Sequence, residues 1–198
     1  MDYSSLPARE IERHARSVAP GAWLVDNDRP LATLLGSCVA VCMYDLEARV
    51  GGMNHFMLPN LARDAYSDVD ALLAGDYCME ALFSALMKKG ARKARLVAKA
   101  FGGGTILQLG EGFNTIGRRN AEFAKEWLER QQIPLVATDL LGPWSRKLIF
   151  LPTNGDAWSR RMVSTMVDTA RVAQEEKAYA ESLAKVKKPK GGPKVELF

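Results

Sequence analysis

Two apolar runs separated by a short polar turn are the feature that most restricts how this chain can fold. The run CVAVCMYD, residues 38–45, has the β-branched and apolar composition of a buried strand. A glycine pair begins a second run, GGMNHFML, residues 51–58, in which alternation places Met53, His55 and Met57 on one face. The residues DLEAR can form the turn between the two runs. The sequence therefore predicts a β-hairpin here.

The rest of the chain alternates between helix and strand patterns. Residues 68–90 carry apolar side chains at helical spacing and end at a glycine, and residues 115–132 repeat that spacing. Strands are predicted from ARLVAKAFGGG, IPLVATDL and RKLIFLPTNGDAWS, the last of which contains an Asn-Gly hairpin signal. A short polar helix is predicted up to about Ala19, and residues 160–185 have the pattern of a terminal amphipathic helix. This order of elements predicts a mixed α and β domain.

Length and charge indicate how the chain is organised. A chain of 198 residues with 47% hydrophobic residues can close one sizeable core, so we expect one domain over residues 1–160. Residues 161–198 are predicted to form a C-terminal helix and a disordered basic tail, because AKVKKPKGGPKVELF carries five Lys against one Glu. Basic patches with interleaved aromatics are missing, which argues against nucleic-acid binding. With no long apolar run in the sequence, we expect a soluble, cytoplasmic protein without membrane insertion.

Cysteine and histidine are scarce, and this limits the available chemistry. Three cysteines and two histidines form neither a disulfide framework nor a zinc-ligand spacing, so no metal is expected. A thiol can instead act as a nucleophile beside a base, and His55 is the candidate base near Cys38. The competing interpretation is a buried Cys38 that acts as a small hydrophobe and a His55 bonded to backbone. Cys42 and Cys78 fit that structural role better, and His14 lies in a polar helix.

The turn before the first strand can supply a place for negative charge. In Gly36-Ser37-Cys38 the glycine permits close backbone approach, and the Cys38 amide can donate to an oxyanion. If Cys38 begins one strand and His55 lies in the strand paired with it, the two side chains can meet. The glycine run at 102–104 lacks a phosphate-binding fingerprint, so no nucleotide cofactor is expected. That run is either a tight turn or backbone that approaches a substrate side chain.

A series of ordered motifs resembles the chemoreceptor glutamine deamidase family, CheD. The motifs are TLLGSCVAVCMYD, GGMNHFMLP, KAFGGG, NTIGRRN, IPLVATDLLGPWSRK and FLPTNG, and the likeness extends from about Trp23 to Asp156. It implies an α+β fold of the cysteine-hydrolase type, a single domain in which packed mixed β-sheets carry outer helices. It also implies a hydrolase, a protein-glutamine glutaminase that converts selected Gln side chains of methyl-accepting chemotaxis receptors to Glu and releases ammonia.

The resemblance also assigns roles to particular residues. The nucleophilic Cys of the family falls on Cys38 and its His falls on His55. The position of its third residue, a Thr, corresponds to Ala32, so Thr33, one step nearer to Cys38, is the candidate in this chain. Strand alternation predicts that this step turns the Thr33 side chain to the other face, and a backbone carbonyl is the alternative partner for His55.

Partners follow from the same resemblance, together with a function of a different class. Chemotaxis receptors are the implied protein substrate, and a CheC-type phosphatase is an implied partner. The alternative to catalysis is a docking module that binds receptors or that phosphatase with little or no deamidation. The presence of both Cys38 and His55 favours the enzyme.

Overall fold

The chain forms two β-sheets with helices on their outer sides. The structure is a computed structural model that describes residues 3–58, 68–105, 111–162 and 174–182. In chain order the strands are β1 (Arg16–Ser17), β2 (Trp23–Asp26), β3 (Leu31–Leu35), β4 (Val39–Asp45), β5 (Val50–Asn54), β6 (Val97–Gly102), β7 (Leu135–Leu140), β8 (Ser145–Phe150) and β9 (Ala157–Met162).

Both sheets are mixed. The first has the order β1-β3-β8-β9 and the second the order β2-β5-β4-β6-β7. The β1–β3 and β6–β7 pairs are parallel, and the remaining pairs are antiparallel. The α-helices are α1 (Ala8–His14), α2 (Asp68–Lys88) and α3 (Glu111–Arg130), and residues 174–182 are also helical. Over the described parts of the chain, no helix combines the length and apolarity needed to cross a membrane.

Three apolar clusters separate the layers. The first lies between the second sheet and helices α2 and α3, and it includes Met43 and Trp127. The second lies between the two sheets and includes Leu148 and Cys42. The third packs α1, through Ile11, against the outer face of the first sheet. The predicted α+β fold with packed mixed sheets and outer helices is therefore confirmed.

Strand β4 is buried on both faces, which explains its uninterrupted apolar sequence. Its odd-numbered residues, from Val39 to Met43, belong to the cluster beneath the helices. Even-numbered residues from Cys38 to Tyr44 belong to the cluster between the sheets. Cys38 therefore lies on the face that is turned toward the other sheet.

Most of the predicted elements are confirmed. Strands β4 and β5 form the predicted hairpin, with Cys42 opposite Met53. Strands β8 and β9 form the pair that the Asn-Gly signal indicates. The predicted helices over 68–90 and 115–132 correspond to α2 and α3, although α3 begins earlier, at Glu111.

Two predicted helices are shorter than expected, because residues at one end of each belong to a strand. The N-terminal helix ends at His14 rather than near Ala19, because Arg16 and Ser17 pair with β3. Residues 160–162, predicted to begin the terminal helix, belong to β9 and pair with β8. In both places strand pairing outweighs local helix propensity. The described part of that terminal helix is 174–182, and the predicted disordered basic tail lies outside the described residues.

Candidate active site

Cys38 lies at the end of a tight turn, immediately before β4, and is fully buried. The glycine run after β6 supports this turn. Gly103 N–H donates to the Cys38 carbonyl at 2.8 Å, and Gly104 N–H donates to the Gly36 carbonyl at 2.7 Å. At Gly102, where φ is +110°, a Cβ atom would lie 2.2 Å from the Cys38 carbonyl oxygen. The glycine run is thus a turn whose backbone packs against the Cys38 turn, a contact that a side chain would prevent.

His55 lies immediately after β5 and is 1% exposed. Val39 and Phe56 exchange two backbone hydrogen bonds of 2.9 Å, which extends the β4–β5 pairing to this point. In this register His55 is opposite Ala40, and Cys38 is its diagonal neighbour. The pairing places Cys38 and His55 on one face of the sheet, as the hairpin prediction requires.

Thr33 connects His55 to the first sheet. Its hydroxyl donates to the Val18 carbonyl at 2.8 Å and lies 2.8 Å from His55 Nδ1. Because the one hydroxyl proton is directed to Val18, the threonine oxygen accepts from Nδ1–H, which assigns the lone pair of the imidazole to Nε2. Nε2 is buried and has no hydrogen-bond partner among the described residues. An imidazole held in this way can accept a proton at Nε2.

The expectation that the Thr33 side chain turns away from the site is wrong. Leu31, Thr33 and Leu35 form the buried face of β3, and the two leucines belong to the cluster between the sheets. Ala32 instead packs on the outer side, against the cluster around α1. Alternation within β3 holds, but β3 lies in the sheet opposite His55, so the face that contains Thr33 is the one that meets the imidazole. The alternative partner, a backbone carbonyl, is also present: the Val18 carbonyl accepts from the Thr33 hydroxyl, and its hydrogen bonding to His55 raises the pKa of the imidazole against the effect of burial.

Burial favours the neutral forms of the His55 imidazole and the Cys38 thiol. It lowers the pKa of His55 to about 4, against the opposing effect of the negative charge on Glu176. Burial also raises the pKa of the Cys38 thiol, and the Glu176 carboxylate raises it further. At neutral pH this conformation therefore holds a thiol and a neutral imidazole rather than an ion pair.

Three donors around Cys38 hold a carboxylate. Cys38 N–H and Gly36 N–H donate to Glu176 Oε1 at 2.8 and 3.0 Å. The Ser37 hydroxyl donates to Glu176 Oε2 at 2.7 Å. Convergent donors on one turn form an anion-binding cradle. The Cys38 N–H thus points toward a bound anion, as donation to an oxyanion requires.

Asn120 is a residue of the site that the sequence analysis missed. It lies in α3 and is fully buried. Its Nδ2 donates to the Ser37 carbonyl at 2.8 Å, and its Oδ1 accepts from Leu58 N–H at 2.8 Å. It therefore ties the Cys38 turn to the segment that follows His55. In the sequence, Asn120 can be found only as a polar residue on the apolar face of an amphipathic helix.

The other cysteines and the second histidine lie away from this arrangement. Cys42 and Cys78 are free and buried, and burial raises the pKa of Cys78 to about 12. Both belong to core clusters, as predicted. His14 is exposed at the end of α1, with its ring 5.7 Å from that of Tyr3. Within the described ranges, no group of three or more His, Cys, Asp and Glu side chains is arranged to hold a metal ion.

A thiol, an imidazole fixed by a hydroxyl and a cradle of amide donors are the parts that cysteine hydrolases use, here set between two sheets. The family model described as CheD chemotactic sensory transduction matches residues 57–161. The chain belongs to the CheD family.

Relatives match this chain along its full length. A protein of Dechloromonas aromatica strain RCB, named probable chemoreceptor glutamine deamidase CheD 2, is 61% identical over 100% of both chains. A Burkholderia thailandensis protein of the same name is 43% identical, again over 100% of both chains. A solved structure of a Neisseria meningitidis protein assigned to family DUF152 is 13% identical, covers 70% of this chain and 72% of its own, and has a TM-score of 0.40. That last likeness is too distant to inform function.

Proposed function

We propose that this chain is a protein-glutamine deamidase of methyl-accepting chemotaxis receptors. It converts selected Gln side chains to Glu, with water consumed and ammonia released. Full-length relatives named as chemoreceptor glutamine deamidases support this substrate. The observation that carries the proposal is the set of Thr33, His55 and Cys38 beside a cradle that already accepts a side-chain carboxylate.

In the first half-reaction His55 Nε2 takes the Cys38 thiol proton, and the thiolate attacks the carboxamide carbon of the substrate. The carboxamide oxygen becomes an oxyanion. It is held by the Cys38 and Gly36 amides, which hold Glu176 Oε1 in this structure. Collapse of the adduct breaks the C–N bond. The nitrogen takes the proton from Nε2 and leaves as ammonia, so that a thioester to Cys38 remains.

In the second half-reaction water attacks the thioester carbon while His55 Nε2 accepts one of its protons. The same amides hold the second oxyanion. Collapse then breaks the C–S bond, Cys38 regains its proton from the imidazole, and glutamate is released. Thr33 acts as a positioning residue, because its oxygen holds Nδ1–H and so keeps the lone pair on Nε2.

Mass spectrometry of a receptor cytoplasmic fragment tests this function. Each conversion of Gln to Glu adds about one dalton, and we expect this gain at defined Gln residues with the unaltered protein. The Cys38→Ala and His55→Ala variants should give no gain. Cys42→Ala is the matched control, because Cys42 is a second buried thiol on the same face of β4. It should retain the activity.

Binding without any mass change would favour the docking module instead. A CheC-type phosphatase is the second partner that we propose for the same face of the molecule. It should bind the Cys38→Ala variant, since binding does not need the thiol, and should compete with the receptor fragment. A fragment that binds the unaltered protein tightly and yet shows no deamidation would contradict the enzymatic proposal.

A further inference from the structure

The carboxylate on the cradle comes from the C-terminal helical segment of the same chain, residues 174–182. Glu176 reaches a turn that lies 138 positions earlier in the sequence. Tyr179 and Ala180 of the same segment pack against the apolar cluster between the sheets. Spacings of three and four residues place Glu176, Tyr179 and Ala180 on one face of a helix. That face therefore lies over the site.

We propose that segment 174–182 is an internal mimic of the reaction product, which occupies the site until a substrate displaces it. Glutamate is what deamidation makes from glutamine, and Glu176 Oε1 occupies the two amides that an oxyanion needs. This inference rests on the proposed function. It means that a receptor helix must displace the segment before its Gln reaches Cys38.

The segment covers the nucleophile. Cys38 has no exposed surface while Glu176 is bound. The Tyr179 ring lies against Gly21, so close that a Cβ atom there would be 2.5 Å from Tyr179 Cε2. The negative charge of Glu176 also raises the pKa of the Cys38 thiol, which favours its unreactive protonated form. Access and charge thus oppose attack by Cys38 in the same conformation.

The hydrogen bonds that hold Glu176 can be replaced by hydrogen bonds to a substrate. The hydrogen-bond donors to Glu176 in the described structure are two backbone amides, the Ser37 hydroxyl and the Cys38 thiol, and they include no basic side chain. A carboxamide oxygen can accept from the same amides. A cleft of about 710 Å³ lies between segment 174–182 and the β1–β3 edge, where Thr33, Glu175 and Tyr179 line it. The segment therefore leaves open space beside the site.

The variant Glu176→Gln turns the mimic into a substrate. We expect the introduced amide to be hydrolysed by Cys38, so that the purified variant regains the mass of the unaltered protein. The reference is the double variant that combines Glu176→Gln with Cys38→Ala. It should stay about one dalton lighter than the Cys38→Ala variant that keeps Glu176. Because the reaction is intramolecular, its rate should not depend on protein concentration. Glu181→Gln is the control, because Glu181 is an exposed residue of the same segment, and its introduced amide should persist.

The variant Glu176→Ala tests the covering role without using deamidation. We expect the rate at which iodoacetamide alkylates Cys38, followed by peptide mass spectrometry, to rise about tenfold or more as cover and charge are removed. Alkylation of Cys42 and Cys78, which lie in the core, should not change. Deamidation of the receptor fragment should also be faster with this variant.

The two proposals fail in different ways. An introduced amide that persists in Glu176→Gln, with the receptor fragment deamidated by the same preparation, overturns the product mimic and leaves the proposed function intact. If that preparation does not deamidate the receptor fragment either, the product mimic and the proposed function are both overturned. Unchanged alkylation of Cys38 in Glu176→Ala overturns the covering role, whatever the activity of the protein.

Discussion

The β4–β5 hairpin holds one carboxylate at each end, and the two are held differently. At the turn end, the Asp45 side chain is fully buried and accepts from three backbone amides and from the Arg95 guanidinium at 2.8 Å. At the open end, Glu176 accepts from the turn around Cys38, and no basic side chain is among its described contacts. Both carboxylates rest on backbone amides, but an opposite charge lies beside only the first.

Because of this difference in charge, the first carboxylate contributes to stability and the second affects the chemistry of the site. The hydrogen bonds and charge of Arg95, with the backbone amides, outweigh burial and lower the pKa of Asp45 to about 2, so the carboxylate stays ionised within the fold. Glu176 instead raises the pKa of the thiol beside it. Asp45 is therefore a fixed part of the structure, whereas Glu176 is an occupant that opposes the reactive ionisation. Changes at the turn end should alter the free energy of unfolding, and changes at the open end should alter activity.

Apart from the loss of Cys38 or His55 itself, the largest effect is expected from Gly102→Ala, which alters the support of the open end. The added Cβ would lie 2.2 Å from the Cys38 carbonyl oxygen, so the turn that carries the thiol and the amides proposed to hold the oxyanion must move. We expect deamidation of the receptor fragment to slow on the order of 1,000-fold. Gly90→Ala is the control, because Gly90 also has positive φ but no atom lies within 4 Å of its Cβ position. Full activity in Gly102→Ala would contradict the role given to the glycine run.

At the turn end, Asp45→Ala should mainly reduce stability. It leaves three backbone amides without their acceptor and Arg95 without its main partner, and we expect a loss of about 3 kcal/mol in urea unfolding. Glu47→Ala is the matched control, since Glu47 contacts the same Arg95 but its side chain is 73% exposed. It should cost about 0.5 kcal/mol or less. If kcat of the folded Asp45→Ala variant fell, the two ends of the hairpin would not be independent.

The structural features that depend on local sequence pattern could be predicted from the sequence. The hairpin follows from two apolar runs and a polar turn, and it alone brings Cys38 and His55 to one face. The direction of Thr33 could not be predicted in the same way. It depends on which sheet β3 joins, and that is set by pairing with β8, more than 100 positions away.

Contacts between distant elements account for the rest of the site. Asn120 and Glu176 reach the Cys38 turn across 83 and 138 positions, and no local rule connects them to it. A Glu within the run QEEK is usually read as part of a solvated helix face. The glycine run is visible in the sequence, but its partner, the Cys38 turn, is determined by the pairing of β6 with β4.

Acid should affect the two ends in separate pH ranges. The pKa of His55 is about 4 in the fold against its usual 6.5, because burial outweighs the negative charges of Glu176 and Glu175 and the hydrogen bonding of Val18. The unfolded chain therefore binds the proton more readily, and stability falls as pH decreases below 6.5, by about 2 kcal/mol between pH 7 and pH 5. Hydrogen bonds from Arg95 and from backbone amides keep the pKa of Asp45 at about 2, so the contribution of the turn end persists until pH falls below 4. In urea unfolding, His55→Gln should lose the first decrease and retain the second; a single decrease below pH 4 in the unaltered protein would contradict this assignment.

The smallest effect is expected from Thr33→Val, which acts on the open end through His55. The change keeps the volume of the side chain but removes the oxygen that accepts from Nδ1–H, so the imidazole loses the contact that keeps its lone pair on Nε2. We expect kcat for the receptor fragment to fall about tenfold with KM unchanged, because in the proposed mechanism the threonine orients the base and does not touch the substrate. Thr33→Ser retains the hydroxyl and should restore most of kcat. If the serine variant were as slow as the valine variant, the packing of the β3 face, rather than the hydrogen bond to His55, would be what the reaction needs from Thr33.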